Sequence, residues 1–406
     1  MRFKIIYLLF IVICIVYPHA VVAGPVTFRH LISLLMLGCC IYEGFKSDKY
    51  LYLYYAFVFF FGISSIATGF GGLFFRGLFG TYLSMIAAYA ATYLLVKKYS
   101  GTNFLVWTFV SLGVLNAVVT IGQFFDLSFV DDLCSFLRIE IDEKFIDKID
   151  YYESEGLALP GLLGSVDNGY FLSATALLTL YNKKCNFYIN FLLWLIVLGA
   201  SFVAQERAGF MLAIAFSAYI VGEHYFSKSK SAGFFALVII LIVCGSIIYS
   251  YMDEILSSEL RYTKGLDTDS RNEHRSVTWD YIINNPMGGF LEFDSGNHEH
   301  HPHNYFLNAF LYGGFFGGIC VIVLLFMQIK KIIPYLLHNR ESEISQWAFI
   351  WGLMYIDYSI NSMVHNASIV KGVMTFFIWW GAFLASAELG EEEQAFGLLD
   401  NYTDEE

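Results

Sequence analysis

The sequence predicts an all-α polytopic membrane protein of about twelve transmembrane helices, with two larger loops on its outer side. Three observations carry this expectation. Of 406 residues, 57% are hydrophobic and only 15% charged, and the mean hydropathy is +0.56; a soluble domain carries about 25% charged residues. Apolar runs long enough to cross a bilayer recur along the chain. The loops between those runs alternate in basic content, as the positive-inside rule requires.

Taken in order, residues 1–124 hold five apolar runs, at 4–22, 28–44, 51–73, 77–96 and 103–124. Residues 125–160 form a first outer loop, which is acidic through Asp131, Asp132, Glu140, Asp142 and Glu143. Residues 161–252 hold four more runs, at 161–181, 187–204, 207–225 and 233–252. A second long outer loop follows at 253–303, and the last three runs (304–329, 344–361 and 368–387) fill the block 304–387. The final residues, 388–406, are rich in Glu and Asp, a composition that predicts a disordered cytoplasmic tail.

Charge fixes the orientation of these runs. With Arg2 and Lys4 inside, the chain returns to the cytoplasm after every second run. Each of those returns carries basic residues: Lys46 and Lys49; Lys97 and Lys98; Lys183 and Lys184; Lys228 and Lys230; Lys330, Lys331 and Arg340. Both termini then lie inside. The first run also has the features of a secretory signal, with an apolar stretch at 5–17 and small residues at 20–24. Cleavage there would leave the sidedness of every later loop unchanged.

The net charge of −12 excludes nucleic acid as a partner, because a phosphate backbone requires a basic face. The seven cysteines show no C-x-x-C spacing and lie mostly within apolar runs, where a thiol packs as a small apolar group.

Three features fall on the outer side. Arg207 stands in the short turn Ala204-Gln205-Glu206-Arg207-Ala208-Gly209. Its side chain either snorkels to headgroups or offers a bidentate fork to a phosphate. The second loop carries Arg271 and Arg275-Ser276-Val277-Thr278-Trp279, then Asn285-Pro286-Met287-Gly288-Gly289. If the segment is helical, Arg275 and Trp279 share one face, and Trp279 could present an apolar platform to a sugar ring or simply pack the loop. Arg271 competes with Arg275 for the same role. The third feature is His298-Glu299-His300-His301-Pro302-His303-Asn304-Tyr305, directly before the tenth run. These histidines could bind a metal, although no His-Glu-x-x-His motif accompanies them. They could instead supply a general base, with His303 best placed beside the helix start, or be plain polar loop residues. Asp167 and Asn168 interrupt the sixth run near its outer end, where a polar pair lines a groove or bonds a neighbouring helix.

Taken together, these features resemble the O-antigen ligase and polymerase superfamily. The resemblance rests on Arg207, on Arg275 with Trp279, on Asn285-Pro286-Met287-Gly288, and on His303-Asn304-Tyr305-Phe306-Leu307 leading to Gly314-Phe315-Phe316-Gly317. It covers roughly 160–320. Glu206, where a small or polar residue is expected, and the extra histidines before His303 depart from the pattern.

The resemblance implies a GT-C-like glycosyltransferase in the bacterial inner membrane, with both long loops in the periplasm. It implies a metal-independent, inverting transfer from an undecaprenyl-diphosphate-linked oligosaccharide, with no cofactor. Arg207 and Arg275 would hold the diphosphate and His303 would activate the acceptor hydroxyl. Arg271, Trp279, Asn304, Tyr305, Asp167 and Asn168 would line the substrate site. The expected partners are the lipid bilayer, a chain-length regulator and a flippase. The aromatic stretch after Pro302 and the acidic first loop favour a polymerase over a ligase that transfers glycan to lipid A–core. A flippase for the same lipid-linked sugars is the alternative of a different class, and the absence of evident paired broken helices weighs against it.

Overall fold

The computed structural model describes residues 2–16, 21–23, 26–75, 79–138, 159–163, 168–182, 185–204, 207–222, 268–296, 304–337, 342–364, 370 and 373–403. The expected run at 233–252 lies outside the described residues. Every other expected run overlaps a helix. We number these helices α1 Arg2–Val16, α2 Phe28–Tyr42, α3 Lys49–Ala67, α4 Phe79–Lys97, α5 Thr102–Phe124, α6 Ser128–Arg138 and α7 Asn168–Tyr181. They continue as α8 Phe187–Val203, α9 Arg207–Ile220, α10 Thr268–Asn284, α11 Phe290–Gly296, α12 Tyr305–Leu337, α13 Glu343–Val364 and α14 Met374–Thr403. The two strands, β1 Val21–Ala23 and β2 Val26–Thr27, pair antiparallel just before α2.

Among the described residues the chain is therefore all-α apart from one small hairpin. Among the described residues four helices, α3, α4, α5 and α12, are long and apolar enough to cross a membrane. The helices Phe28–Tyr42, Phe187–Val203 and Gly209–Ile220 are apolar but shorter. Around a buried apolar core, some helices also turn apolar faces outward. Helix α2 buries Arg29 and Ser33 while Leu31, Leu34, Leu35 and Ile41 face outward. The later part of α12 likewise exposes Phe315, Phe316, Ile319 and Phe326. Such faces suit hydrocarbon, and buried polar groups in such a chain mark interior contacts or sites.

The chain divides into two compact units, residues 1–105 with 271–406, and residues 106–270. In the first, α3 lies along α12, α4 packs between α2 and α14, and α13 joins α14 to α12. Tyr7 on α1 shares a hydrogen bond of 2.8 Å with Thr92 on α4. Gly381 permits a close crossing, because a Cβ there would sit 2.8 Å from the carbonyl oxygen of Tyr89. In the second unit α7 is buried along its length between α8 and α9.

Several expectations are corrected. The first run does not continue to 22: α1 ends at Val16 and the β-hairpin follows. The two segments expected to be outer loops contain helices. In the first, α6 is strongly amphipathic and sets Val130 and Cys134 against Val119 and Leu162. In the second, α10 and α11 occupy much of the described length.

The acidic tail is not disordered through 388–403. Helix α14 runs on to Thr403. Its carboxylates meet basic helix ends that composition alone could not pair with them. Glu388 binds Lys97 and accepts from the Tyr93 hydroxyl (2.6 Å). Glu392 lies 3.2 Å from the same lysine, and Glu391 binds Lys331 and accepts from Tyr335 (2.9 Å). Burial opposes ionisation of Glu391, but the hydrogen bonds from Lys331 and Tyr335 outweigh it and hold its carboxyl below the usual range.

Candidate functional site

The most informative part of the first unit is a break in α12. Gly314 adopts φ +62° and ψ −166°, which no helix accommodates. The chain folds back there. The Phe310 ring lies against Gly318, where a Cβ would be 2.4 Å away, a contact that a continuous helix cannot make across eight residues. Before the break, Tyr312 packs on Phe61 of α3 (4.9 Å) and Tyr305 lies in electrostatic range of Tyr54. After it, Phe316 stacks on Phe60 (5.6 Å) and Gly317 meets Phe57. The 305–313 limb therefore runs with α3 and the 315–337 limb runs back against it. The expected single span at 304–329 is a short re-entrant limb followed by a long helix.

The turn after α10 holds this break. The Gly289 N–H donates to the Leu311 carbonyl (3.0 Å), and the Phe315 N–H donates to the Pro286 carbonyl (2.8 Å). Gly288, at φ +86°, approaches so closely that a Cβ would be 2.6 Å from the Gly314 nitrogen. A Cβ on Gly314 would be 2.4 Å from the Met287 carbonyl carbon. Phe290 stacks on Tyr312 at 3.8 Å. Two motifs singled out in the sequence, 285–289 and 314–317, thus form one joint, in which glycine is needed for both φ and space.

The joint positions the loop's functional candidates. Helix α10 carries Arg271, whose side chain lies outside the described residues. Arg275 is half-buried, and its Nε is buried with no hydrogen-bond partner. Trp279, one turn on, is 51% exposed and free to meet another surface. Tyr281 ties α10 to α11 by donating to the Glu292 carboxylate (2.8 Å). Burial and that carboxylate push the Tyr281 hydroxyl well up, so it remains a proton donor at any physiological pH. At the other end of the joint, the side-chain oxygen of Asn304 accepts from the N–H groups of Phe306 and Leu307, both at 3.0 Å. Asn304 is thus the N-cap of the re-entrant limb. Tyr305, next to it, is fully buried and its hydroxyl has no partner.

The second unit brings Asn168 and Arg207 together in a different way. Asn168, at the start of α7, accepts from Asn116 Nδ2 (2.5 Å) and donates to Thr120 Oγ1 and the Leu159 carbonyl, both at 2.9 Å. The side-chain oxygen of Asn116 accepts from the Leu162 N–H (2.8 Å), and that of Gln123 accepts from the Gly161 N–H (2.9 Å). Of the two readings open for Asn168, the structure shows the helix-bonding one: both its N–H donors and its oxygen bond to protein groups. Beside it, Ser173 donates to the Gly209 carbonyl (2.9 Å), and Gly209 crosses Gly169 closely, where a Cβ would lie 3.3 Å from the Gly169 carbonyl oxygen. The start of α9, which carries Arg207, is thereby fixed against the start of α7. The Arg207 side chain, Asp167 and His303 lie outside the described residues.

No family model, curated protein or solved structure matches the chain.

Arg275, Trp279, Asn304 and Tyr305 thus belong to the first unit, and Asn168 and Arg207 to the second. Among the described residues no group of three or more His, Cys, Asp or Glu side chains is arranged to hold a metal; the histidines at 298, 300 and 301 lie outside them. Sequence reasoning passed over Arg29. It is a lone basic residue at the expected outer end of α2, and its signal was only that an arginine stood where the charge pattern asks for none.

Proposed function

We propose that this protein is a polysaccharide polymerase of the O-antigen or capsular type, acting on undecaprenyl-diphosphate-linked glycans. One observation supports the reading above the others. The 285–289 turn seats on the Gly314 break, so the helix of Arg275 is tied to the short limb whose capped start directly follows His303. That is how a loop arginine and a base would be held in register. On this reading the chain spans the bacterial inner membrane twelve times, with both termini cytoplasmic and the joint facing the periplasm.

The chemistry follows from the residue types. His303, as neutral imidazole, takes the proton of the acceptor sugar hydroxyl. The hydroxyl oxygen bonds to the anomeric carbon of the donor as the bond from that carbon to the diphosphate oxygen breaks, with inversion. Undecaprenyl diphosphate leaves with the electron pair. Its growing charge is met by the guanidinium groups of Arg207 and Arg275, which bind phosphate oxygens bidentately. The exposed face of Trp279 carries a sugar ring, and Arg271 adds positive charge on the same helix.

The deciding experiment uses purified full-length protein and an undecaprenyl-diphosphate oligosaccharide. Lengthened lipid-linked glycan is expected, together with its loss in Arg207→Ala, Arg275→Ala and His303→Ala proteins that still insert. Wild-type extension by Arg207→Ala would remove that residue from the site. Movement of the lipid across the bilayer without a new glycosidic bond would mean a flippase. In cells, loss of a polymerase leaves core bearing a single repeat, whereas loss of a ligase leaves bare core and accumulated lipid-linked chains.

A further inference from the structure

Arg29 is a charged side chain with no internal counterpart. It stands in the first turn of α2 with 9% of its surface exposed. Its Nε and Nη2 are buried and make no hydrogen bond. These two nitrogens form the edge of the guanidinium that grips an oxyanion bidentately. None of the ion pairs among the described residues involves Arg29. A guanidinium cannot shed its proton to escape burial. A lone buried charge is costly and is ordinarily balanced by an opposite one.

Among the described residues no carboxylate lies in electrostatic range of Arg29; the groups in range are Cys14, Tyr54 and His30. The Tyr54 hydroxyl donates to the Met85 sulfur (3.0 Å), and the Cys14 sulfur pairs with the Ser33 hydroxyl (3.8 Å). The position is also held firmly. The Thr27 N–H donates to His30 Nδ1 (3.1 Å), and Gly80 on α4 lies so close that a Cβ would be 2.4 Å from the His30 ring. Ser33 donates back to the Arg29 carbonyl at 2.6 Å. Tyr54 is in range of Tyr305 as well, whose fully buried hydroxyl also has no partner. Tyr305 opens the re-entrant limb, and the N-terminal end of a helix favours negative charge.

We propose that the free edge of Arg29 binds a phosphoryl group carried on a lipid, a second anion point beside the one assigned to Arg207 and Arg275. A phosphoryl group offers more oxygens than a carboxylate, enough for a bidentate guanidinium and further donors. An apolar tail is what brings such an anion to a chain whose outward faces are hydrocarbon-like. That the tail is a polyprenyl chain rests on the glycan-transfer reading; that the ligand is a phosphoryl oxyanion does not.

The test uses full-length protein in phosphatidylcholine nanodiscs, with the thermal unfolding midpoint and native mass spectrometry as readouts. Undecaprenyl phosphate is expected to raise the midpoint and undecaprenol to leave it unchanged. Arg29→Met is expected to raise the midpoint of the ligand-free protein, because an unpaired charge is replaced by an apolar stem, and to abolish the phosphate effect. Arg29→Lys keeps the charge without the fork and should retain a smaller rise. An equal rise with inorganic phosphate, or with phosphatidylglycerol in the bilayer, supports the site and assigns it to a soluble anion or to a headgroup. The Arg207→Ala/Arg275→Ala double variant separates the two readings. A rise that survives there and vanishes in Arg29→Met belongs to Arg29, whatever becomes of glycan extension. A rise that vanishes there and survives in Arg29→Met overturns the proposal and leaves the transfer reading standing. A destabilised ligand-free Arg29→Met protein also overturns it, because Arg29 would then be a structural residue.

Discussion

Two sets of buried polar groups, one in each unit, contrast with each other. In the second unit, Thr120 and the Leu159 carbonyl take both N–H donors of Asn168, and its side-chain oxygen accepts from Asn116. In the first, Arg29 and Tyr305 lack partners, and so do both amide atoms of Asn361, a fully buried residue of α13. Residue type does not explain the contrast, since asparagine occurs on both sides of it. A saturated set stabilises its own fold, whereas an unsatisfied one is completed by something outside the chain. The Asn168 set therefore pins helices, whereas Arg29 and Tyr305 are groups that a polar ligand could meet.

Four measurements would break or sharpen that contrast. The largest effect is expected at the joint. Gly314→Ala puts a Cβ into the Met287 carbonyl at a positive φ, and should cost about 3 kcal/mol or more in thermal unfolding. A loss under about 1 kcal/mol would show that the fold-back is not needed. Next come the asparagines. Asn168→Leu removes the partner of the Asn116 amide N–H and of the Leu159 carbonyl, and should cost about 2 to 3 kcal/mol. Asn361→Leu strands nothing and should be neutral or stabilising. Equal losses in the two variants would erase the distinction between the units.

A smaller effect depends on pH where α12 and α14 meet through Lys331 and Glu391. The Glu391 carboxyl is held below its unfolded value. Its contribution is therefore present above the ordinary carboxylate range and is lost as pH falls through the lowered value. Hydrogen exchange in residues 391–403 should accelerate over that acidic window. Lys331→Met should bring the acceleration on at higher pH, and an unchanged profile would detach the tail from this pair. The smallest change is a control. At Gly199 in α8 an added Cβ would meet nothing within 4 Å, so Gly199→Ala should stabilise by no more than about 1 kcal/mol.

Helices were legible because apolar runs report them directly, and both short motifs of the joint were visible as glycine clusters. Their union was not. The run 304–329 is predominantly apolar, and hydropathy has the same value whether a chain continues or doubles back within a bilayer. Asn168 was ambiguous because saturation depends on Asn116, Thr120 and Leu159, which composition cannot bring together. The tail was misread for a related reason: Glu388 and Glu391 signal solvation until Lys97 and Lys331 are found opposite them. Arg29 escaped notice because a single charge is unremarkable until its burial is known.

The doubled-back limb has a mechanical consequence. At 1.5 Å per residue it is a rod roughly 13 Å long, pivoting on one glycine. Two backbone hydrogen bonds pin that pivot to the stalk descending from α10. A tug on the stalk at the rim would swing the far tip, where Asn304 follows His303, through a larger arc than the tug itself. Spin labels at Ser276 and Leu307 would report such leverage as correlated displacement when an acceptor sugar is added; independent movement of the two labels would dispose of it.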